Sequence, residues 1–174
     1  MSDRYIFRQI KEDEIPQMFQ LILDRMKWMD ENGIQQWNVT KYDEVYPQSY
    51  YEERRKDGEV FVLEDSINNH IVCAAVLKEE DERWDDNSPA FYLHNFVTKI
   101  GESGVGSVFI EKAETYAMQI GKRYFRLDSA KDNPSLSHYY EKHGFLPVGK
   151  CKDGLYEGIL RQKELLFQNQ NKVN

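Results

Sequence analysis

Between Phe91 and Gly121 an apolar run, a turn holding two glycines and a long amphipathic pattern follow one another without a break. Phe91 to Val97 has the composition of a strand. The turn Thr98-Lys99-Ile100-Gly101-Glu102-Ser103-Gly104 follows, and then Val105, Val108, Phe109, Ala113, Tyr116, Ala117 and Ile120 recur at three and four positions. That spacing predicts a helix over Gly104 to Ile120, stopped by Gly121. A strand that feeds a helix at once belongs to a layered fold of sheet and helix, and the rest of the chain has to supply the other layers.

It does so in an alternating order. Tyr5 to Ile10 alternates as a first strand, and Glu14 to Glu31 repeats apolar residues at helical spacing, with Pro16 in the first turn and Asn32-Gly33 behind it. Pro47 to Lys56 predicts a second, more polar helix. Glu59 to Leu63 and Ile71 to Leu77 are strand-like runs on either side of Asn68-Asn69, a hairpin signal. A charged turn, Glu79 to Ser88, leads back to Phe91. Beyond Gly121 the pattern gives a strand at Tyr124 to Leu127 and a short helix at Asn133 to His143. Strands at Phe145 to Val148 and Tyr156 to Leu160 end the pattern. The predicted architecture is α/β (α+β), a mixed sheet with helices on both faces, forming one domain over 1–167 with a frayed tail at 168–174.

Composition narrows the function classes. The 174 residues suit one domain, and a net charge of −7 opposes a sequence-independent grip on nucleic acid, which needs a basic surface. The longest apolar run, Ile71 to Leu77, falls far short of the roughly 20 residues of a membrane helix. Met1 to Tyr5 has no basic-then-apolar signal, and Cys73 and Cys151 make no CxxC pair, so a reduced, cytoplasmic protein is expected. His70, His94, His138 and His143 lack the i, i+4 spacing of a helical zinc site, and no metal is expected.

The chemistry concentrates in two segments. At Thr98 to Ser107 the glycines let a ligand approach the backbone, and the unpaired N–H groups of the following helix receive anions such as a diphosphate. A Walker loop would need Lys after the second glycine, where Ser107 stands, and a Rossmann loop would need a third glycine where Phe109 stands. A glycine turn can also serve geometry alone. The second segment is Asn133-Pro134-Ser135-Leu136-Ser137-His138-Tyr139-Tyr140-Glu141-Lys142-His143-Gly144-Phe145.

Together these segments resemble the GNAT superfamily of acyl-CoA-dependent N-acetyltransferases, whose motifs run [Q/R]xxGx[G/A] at a strand–helix junction and then Asn…Tyr…Gly-Phe. The resemblance covers Phe91 to Val148. It implies a mixed, mostly antiparallel sheet of six to seven strands and acetyl-CoA as co-substrate. It further implies that Phe96, Val97 and Thr98 hold the pantetheine arm where their strand splays from Tyr124 to Leu127. Backbone groups of Glu102, Ser103, Gly104, Val105, Gly106 and Ser107 would take the diphosphate, Asn133 would hydrogen-bond the arm, and Tyr140 would be the acid beside the sulfur, with Tyr139 packing. One position departs: Gly101 stands where the family has Gln or Arg, which weakens or reshapes CoA binding. Lys99, Lys131 and Lys142 are candidates for the positive charge.

The implied activity is acetyl transfer to a primary amine, of a small molecule or a peptide, by direct attack in a ternary complex. The alternative is a non-catalytic CoA-binding or sensor module on the same fold. The strand Phe91 to Val97 carries no carboxylate; His94, the titratable group there near neutral pH, is a candidate base or water relay and is left unassigned. Trp37 either shapes an acceptor pocket or plugs the core, the tyrosines at 42, 46, 50 and 51 favour a pocket or an interface, and a homodimer is compatible with the sequence.

Overall fold

In the computed structural model, which describes residues 4–166, the alternation of apolar and polar runs becomes a single seven-stranded sheet. In chain order the elements are β1 (Tyr5–Gln9), α1 (Ile15–Glu31), α2 (Tyr42–Val45), α3 (Gln48–Lys56), β2 (Val60–Asp65), β3 (His70–Lys78), β4 (Ala90–Thr98), α4 (Val105–Gln119), β5 (Tyr124–Ala130), α5 (Pro134–Lys142), β6 (Leu146–Asp153) and β7 (Tyr156–Glu164). The strand order is β1-β2-β3-β4-β5-β7-β6. Every neighbouring pair is antiparallel except β4 and β5. This is the mixed, mostly antiparallel sheet anticipated.

Strand periodicity divides the core. Along β2, Phe61 and Leu63 join a cluster with Phe91, Phe109, Phe125 and Phe145, while Val60 and Val62 join another with Ile15, Met18, Ile22 and Tyr51. Successive strand residues point to opposite faces, so α4 and α5 cover one face and α1 and α3 the other. Pro16 lies at the start of α1, and the Asn133 side chain caps α5 by accepting from the Leu136 N–H. No helix among the described residues is long and apolar enough to cross a membrane.

The sequence reading missed α2 and cut three strands short. β5 runs on to Ala130, β6 to Asp153 and β7 to Glu164. β6 is the sheet's edge and is exposed along nearly its whole length, so it carries no apolar alternation beyond its start. The expected tail at 168–174 lies outside the described residues.

Candidate functional site

β4 and β5 run side by side for only four residue pairs, from Ala90 opposite Tyr124 to Leu93 opposite Leu127. Beyond Leu93, β4 continues to Thr98 bonded to β3 alone, and the two strands part. A bulge accompanies the parting. Val76 pairs with His94 and Ala74 with Val97, so Asn95 and Phe96 together oppose the single residue Ala75. Asn95 adopts φ +53°, a left-handed conformation that asparagine tolerates better than most side chains. Its amide is held on both sides. Nδ2 donates to the Tyr42 hydroxyl at 2.6 Å, and Oδ1 accepts from the Tyr50 hydroxyl at 3.3 Å. Trp37 stacks on Tyr42 at 4.3 Å and 6°, so the aromatic run of the sequence braces the bulge.

A cavity of about 790 Å³ opens where the strands part. Phe96, Val97, Thr98, Glu102, Gly104, Gly106, Ser107, Asn133, Tyr140, His94 and Trp37 all line it. Ser103 lines a shallower depression beside it, with Lys99, Gly101 and Glu102. Val105 lines neither, since its side chain is buried in the core at 1% exposure. Lys131 is paired with Glu157, and neither it nor Lys142 reaches the cavity or the depression.

At one end of the cavity lies the start of α4. Gly104 precedes it at φ +79°, and no side chain caps the first turn, so its N–H groups are available to an anion. Gly106 sits tightly beneath this end. A Cβ there would lie 2.6 Å from the Tyr139 hydroxyl and 3.3 Å from Thr98 Cγ2. Tyr139, expected only to pack, thus brings its hydroxyl to the cavity wall, and Ser107 Oγ lies 3.1 Å from His143 Nε2.

Tyr140 lies deeper. It is 7% exposed, and its ring meets Tyr139 at 5.5 Å and Phe145 at 6.0 Å. Its hydroxyl has no hydrogen-bond partner among the described residues, and burial raises its pKa above the ordinary phenol value, so it remains protonated. Arg161, 1% exposed, anchors the end of α5 by donating to Glu141 Oε1 at 3.3 Å and to the Phe145 carbonyl at 3.2 Å. Asn133 has commitments of its own, for besides capping α5 it donates from Nδ2 to Gln36 Oε1 at 3.2 Å.

The other side of the cavity holds a polar cluster from four separate segments. His94 Nε2 lies 2.9 Å from Asp81 Oδ2. Asp128 Oδ2 accepts from the Tyr156 hydroxyl at 2.6 Å, and Asp128 Oδ1 accepts from Arg83 Nη1 at 3.2 Å. Burial alone would raise the Asp81 pKa, but hydrogen bonds from His94 and the Arg83 backbone N–H outweigh it and hold the carboxyl below its usual value. Burial and the Asp128 charge push the Tyr156 phenol up. Asp81, His94 and Asp128 offer ligand atoms within 4.8 Å of one another. Arg83 and Tyr156 already occupy Asp128, so this donor set is a hydrogen-bonded network with a cation in place. Sequence reading found His94 but missed Asp81 and Arg83, whose signal was only the charged turn Glu79 to Ser88.

The family model described as "Acetyltransferase (GNAT) family" matches residues 22–145. No curated protein matches the chain. Among solved structures, an acetyltransferase of the GNAT family from Listeria monocytogenes is similar at 24% identity and TM-score 0.75, over 92% of this chain and 95% of that one. One from Streptococcus agalactiae is similar at 18% identity and TM-score 0.75, with the same shares covered, 92% and 95%. The PaiA N-acetyltransferase from Thermoplasma acidophilum, in complex with coenzyme A, is similar at 14% identity and TM-score 0.71, over 92% of this chain and 98% of that one. At these identities the structural likeness speaks for the fold.

Proposed function

The chain belongs to the GNAT acetyltransferase family, and from that premise we propose that it moves an acetyl group from acetyl-CoA to a primary amine by direct attack within one ternary complex. The observation that carries this reading is the parted β4–β5 pair. From His94 to Thr98, β4 is bonded on one edge only, and an arm bearing amide groups can add to the other edge as a further strand. That edge leads to the uncapped first turn of α4, where N–H groups and helix dipole suit a diphosphate. Acetyl-CoA supplies an amide-bearing arm, a diphosphate and the acetyl thioester. In this reading Phe96, Val97 and Thr98 hold the arm, and the backbone of Glu102 to Ser107 holds the diphosphate. The Asn133 amide turns from Gln36 to the arm.

Tyr140 then serves the departing sulfur. A thiol of pKa about 8.5 is a stronger acid than a phenol of about 10, so complete proton transfer from Tyr140 is uphill. Its contribution is a hydrogen bond that strengthens as negative charge develops on sulfur. On the acceptor side, an amine of pKa about 10.4 is neutral in roughly one molecule in 2,500 at pH 7, so proton removal is worth a catalytic group. The Asp81 carboxylate beside Nε2 favours the His94 tautomer with its proton there, leaving the Nδ1 lone pair to accept one directly or through water.

Thermal unfolding with acetyl-CoA tests the reading. At about 100 times Kd the ligand adds about 2.7 kcal/mol, which is about 5–11 °C for a domain of this size. A shift of that order, small with ATP or NAD, is expected, followed by thiol release with an amine. Binding without turnover across an amine panel would favour the non-catalytic CoA-binding module, and no shift would refute both.

A further inference from the structure

Arg25 stands apart among the nine arginines of the chain, all of which lie in the described region. Arg4, Arg8, Arg54, Arg55, Arg83, Arg123, Arg126 and Arg161 each face a carboxylate within 4.0 Å. Arg25 faces none. It projects from α1, half-buried, with its guanidinium 4.8 Å from the Trp28 ring centroid. Its Nη2 donates to the Thr98 carbonyl at 3.0 Å and to Thr98 Oγ1 at 2.9 Å. Nε and Nη1 have no partner among the described residues, which leaves three of five N–H groups free. Burial, with no carboxylate to offset it, lowers the pKa of this guanidinium. A cation held this way, without a counter-charge, is unfavourable in the free protein and suits a site that receives an anion.

Its position says which anion. Arg25 lines both the main cavity and the adjoining depression of about 310 Å³, so it sits where the parted strands meet the turn before α4. Lys99 and Glu102 border that depression too, one of each sign, and Arg25 sets the balance positive. Gly101 itself offers no side chain, and its φ of +87° would strain any other residue placed there.

We propose that Arg25 is the side-chain partner of the CoA diphosphate, reaching it from α1 across the mouth of the cavity and supplying the cation that Gly101 cannot. This rests on the acetyl-CoA reading above. Arg25→Met and Arg25→Lys, checked for unchanged melting temperature, are titrated against CoA, dephospho-CoA and pantetheine. The expected result for Arg25→Met is an affinity loss of about 10- to 100-fold for CoA and dephospho-CoA and none for pantetheine. Arg25→Lys should fall between, and the salt dependence of CoA binding should flatten in Arg25→Met.

Equal losses with all three ligands would mean a packing defect, and a loss confined to CoA would assign the 3′-phosphate; either overturns the proposal. So would unchanged CoA affinity with a raised amine KM, which would place Arg25 on the acceptor side. A wild-type protein that binds none of the three ligands refutes the acetyl-CoA reading itself, before any substitution is considered.

Discussion

Replacing Tyr140 by phenylalanine removes one oxygen atom and separates fold from chemistry. The ring contacts with Tyr139 and Phe145 survive, since they are made by the ring and not the hydroxyl. The hydroxyl has no partner among the described residues, so its loss strands no donor or acceptor. Stability should therefore stay within about 0.5 kcal/mol of wild type, or about 1–2 °C in melting temperature. A hydrogen bond to a charged atom is worth about 1.5–3 kcal/mol, so kcat should fall about 10- to 150-fold. CoA affinity should barely change, because the bond strengthens only as the thiolate forms. Thiol release followed across about pH 6–9 reads kcat, and a CoA titration reads Kd. An unchanged kcat over that range would refute the role given to Tyr140. A melting temperature lower by many degrees would show instead that the hydroxyl is bonded within the fold.

Gly106→Ala should destabilise by about 1–3 kcal/mol, because the new methyl meets the Tyr139 hydroxyl at 2.6 Å in a packed setting. Adding Tyr139→Phe removes that oxygen and should restore most of the loss in calorimetry; no rescue would mean that the strain falls on Thr98 or the helix itself. Asp86, paired with the buried Arg126 at 2.7 Å, has its pKa lowered to about 2, chiefly by the hydrogen bond from that guanidinium. The depressed folded value means that its stabilisation is present above the unfolded pKa of about 3.9 and is lost as pH falls towards about 2. With the carboxylate half-exposed, Asp86→Asn should cost about 1–2 kcal/mol at neutral pH, and the gap from wild type should close below about pH 3 in urea titrations.

The parts of the molecule that sequence revealed are those whose signal is local. The strand–turn–helix unit from Phe91 to Gly121 and the Asn133-Pro134 helix start carry their punctuation within a few residues, and both formed as expected. The residues expected to form the site lie together largely because they are neighbours in the chain, and all of them but Val105 line the cavity or its adjoining depression. The length of β6 was hidden because an exposed edge strand needs no apolar alternation. The bulge at Asn95 was hidden for another reason. It arises from register against β3 and from tyrosines on α2 and α3, all distant in sequence. Trp37, at the head of the aromatic run, packs on the core and lines the cavity as well.

The least legible part is the charge arrangement, which assembles only in three dimensions. Asp81, Asp128 and Asp153 gather around Arg83 on the side facing β5 and β7, from segments up to 72 residues apart (153 − 81). Arg25 and the open turn of α4 lie on the other side, from segments about as distant. With a net charge of −7, the protein as a whole repels an anionic ligand at long range, so anion binding has to be local. On the proposed reading the uncapped start of α4 and Arg25, which has no carboxylate beside it among the described residues, would provide that locally. Across the cavity Asp81, Asp128 and Asp153 outnumber the one arginine among them, so that side carries the opposite sign. If the cavity takes an anionic co-substrate and a cationic acceptor, this polarity fixes which end each enters, and Tyr140 lies in the same cavity wall.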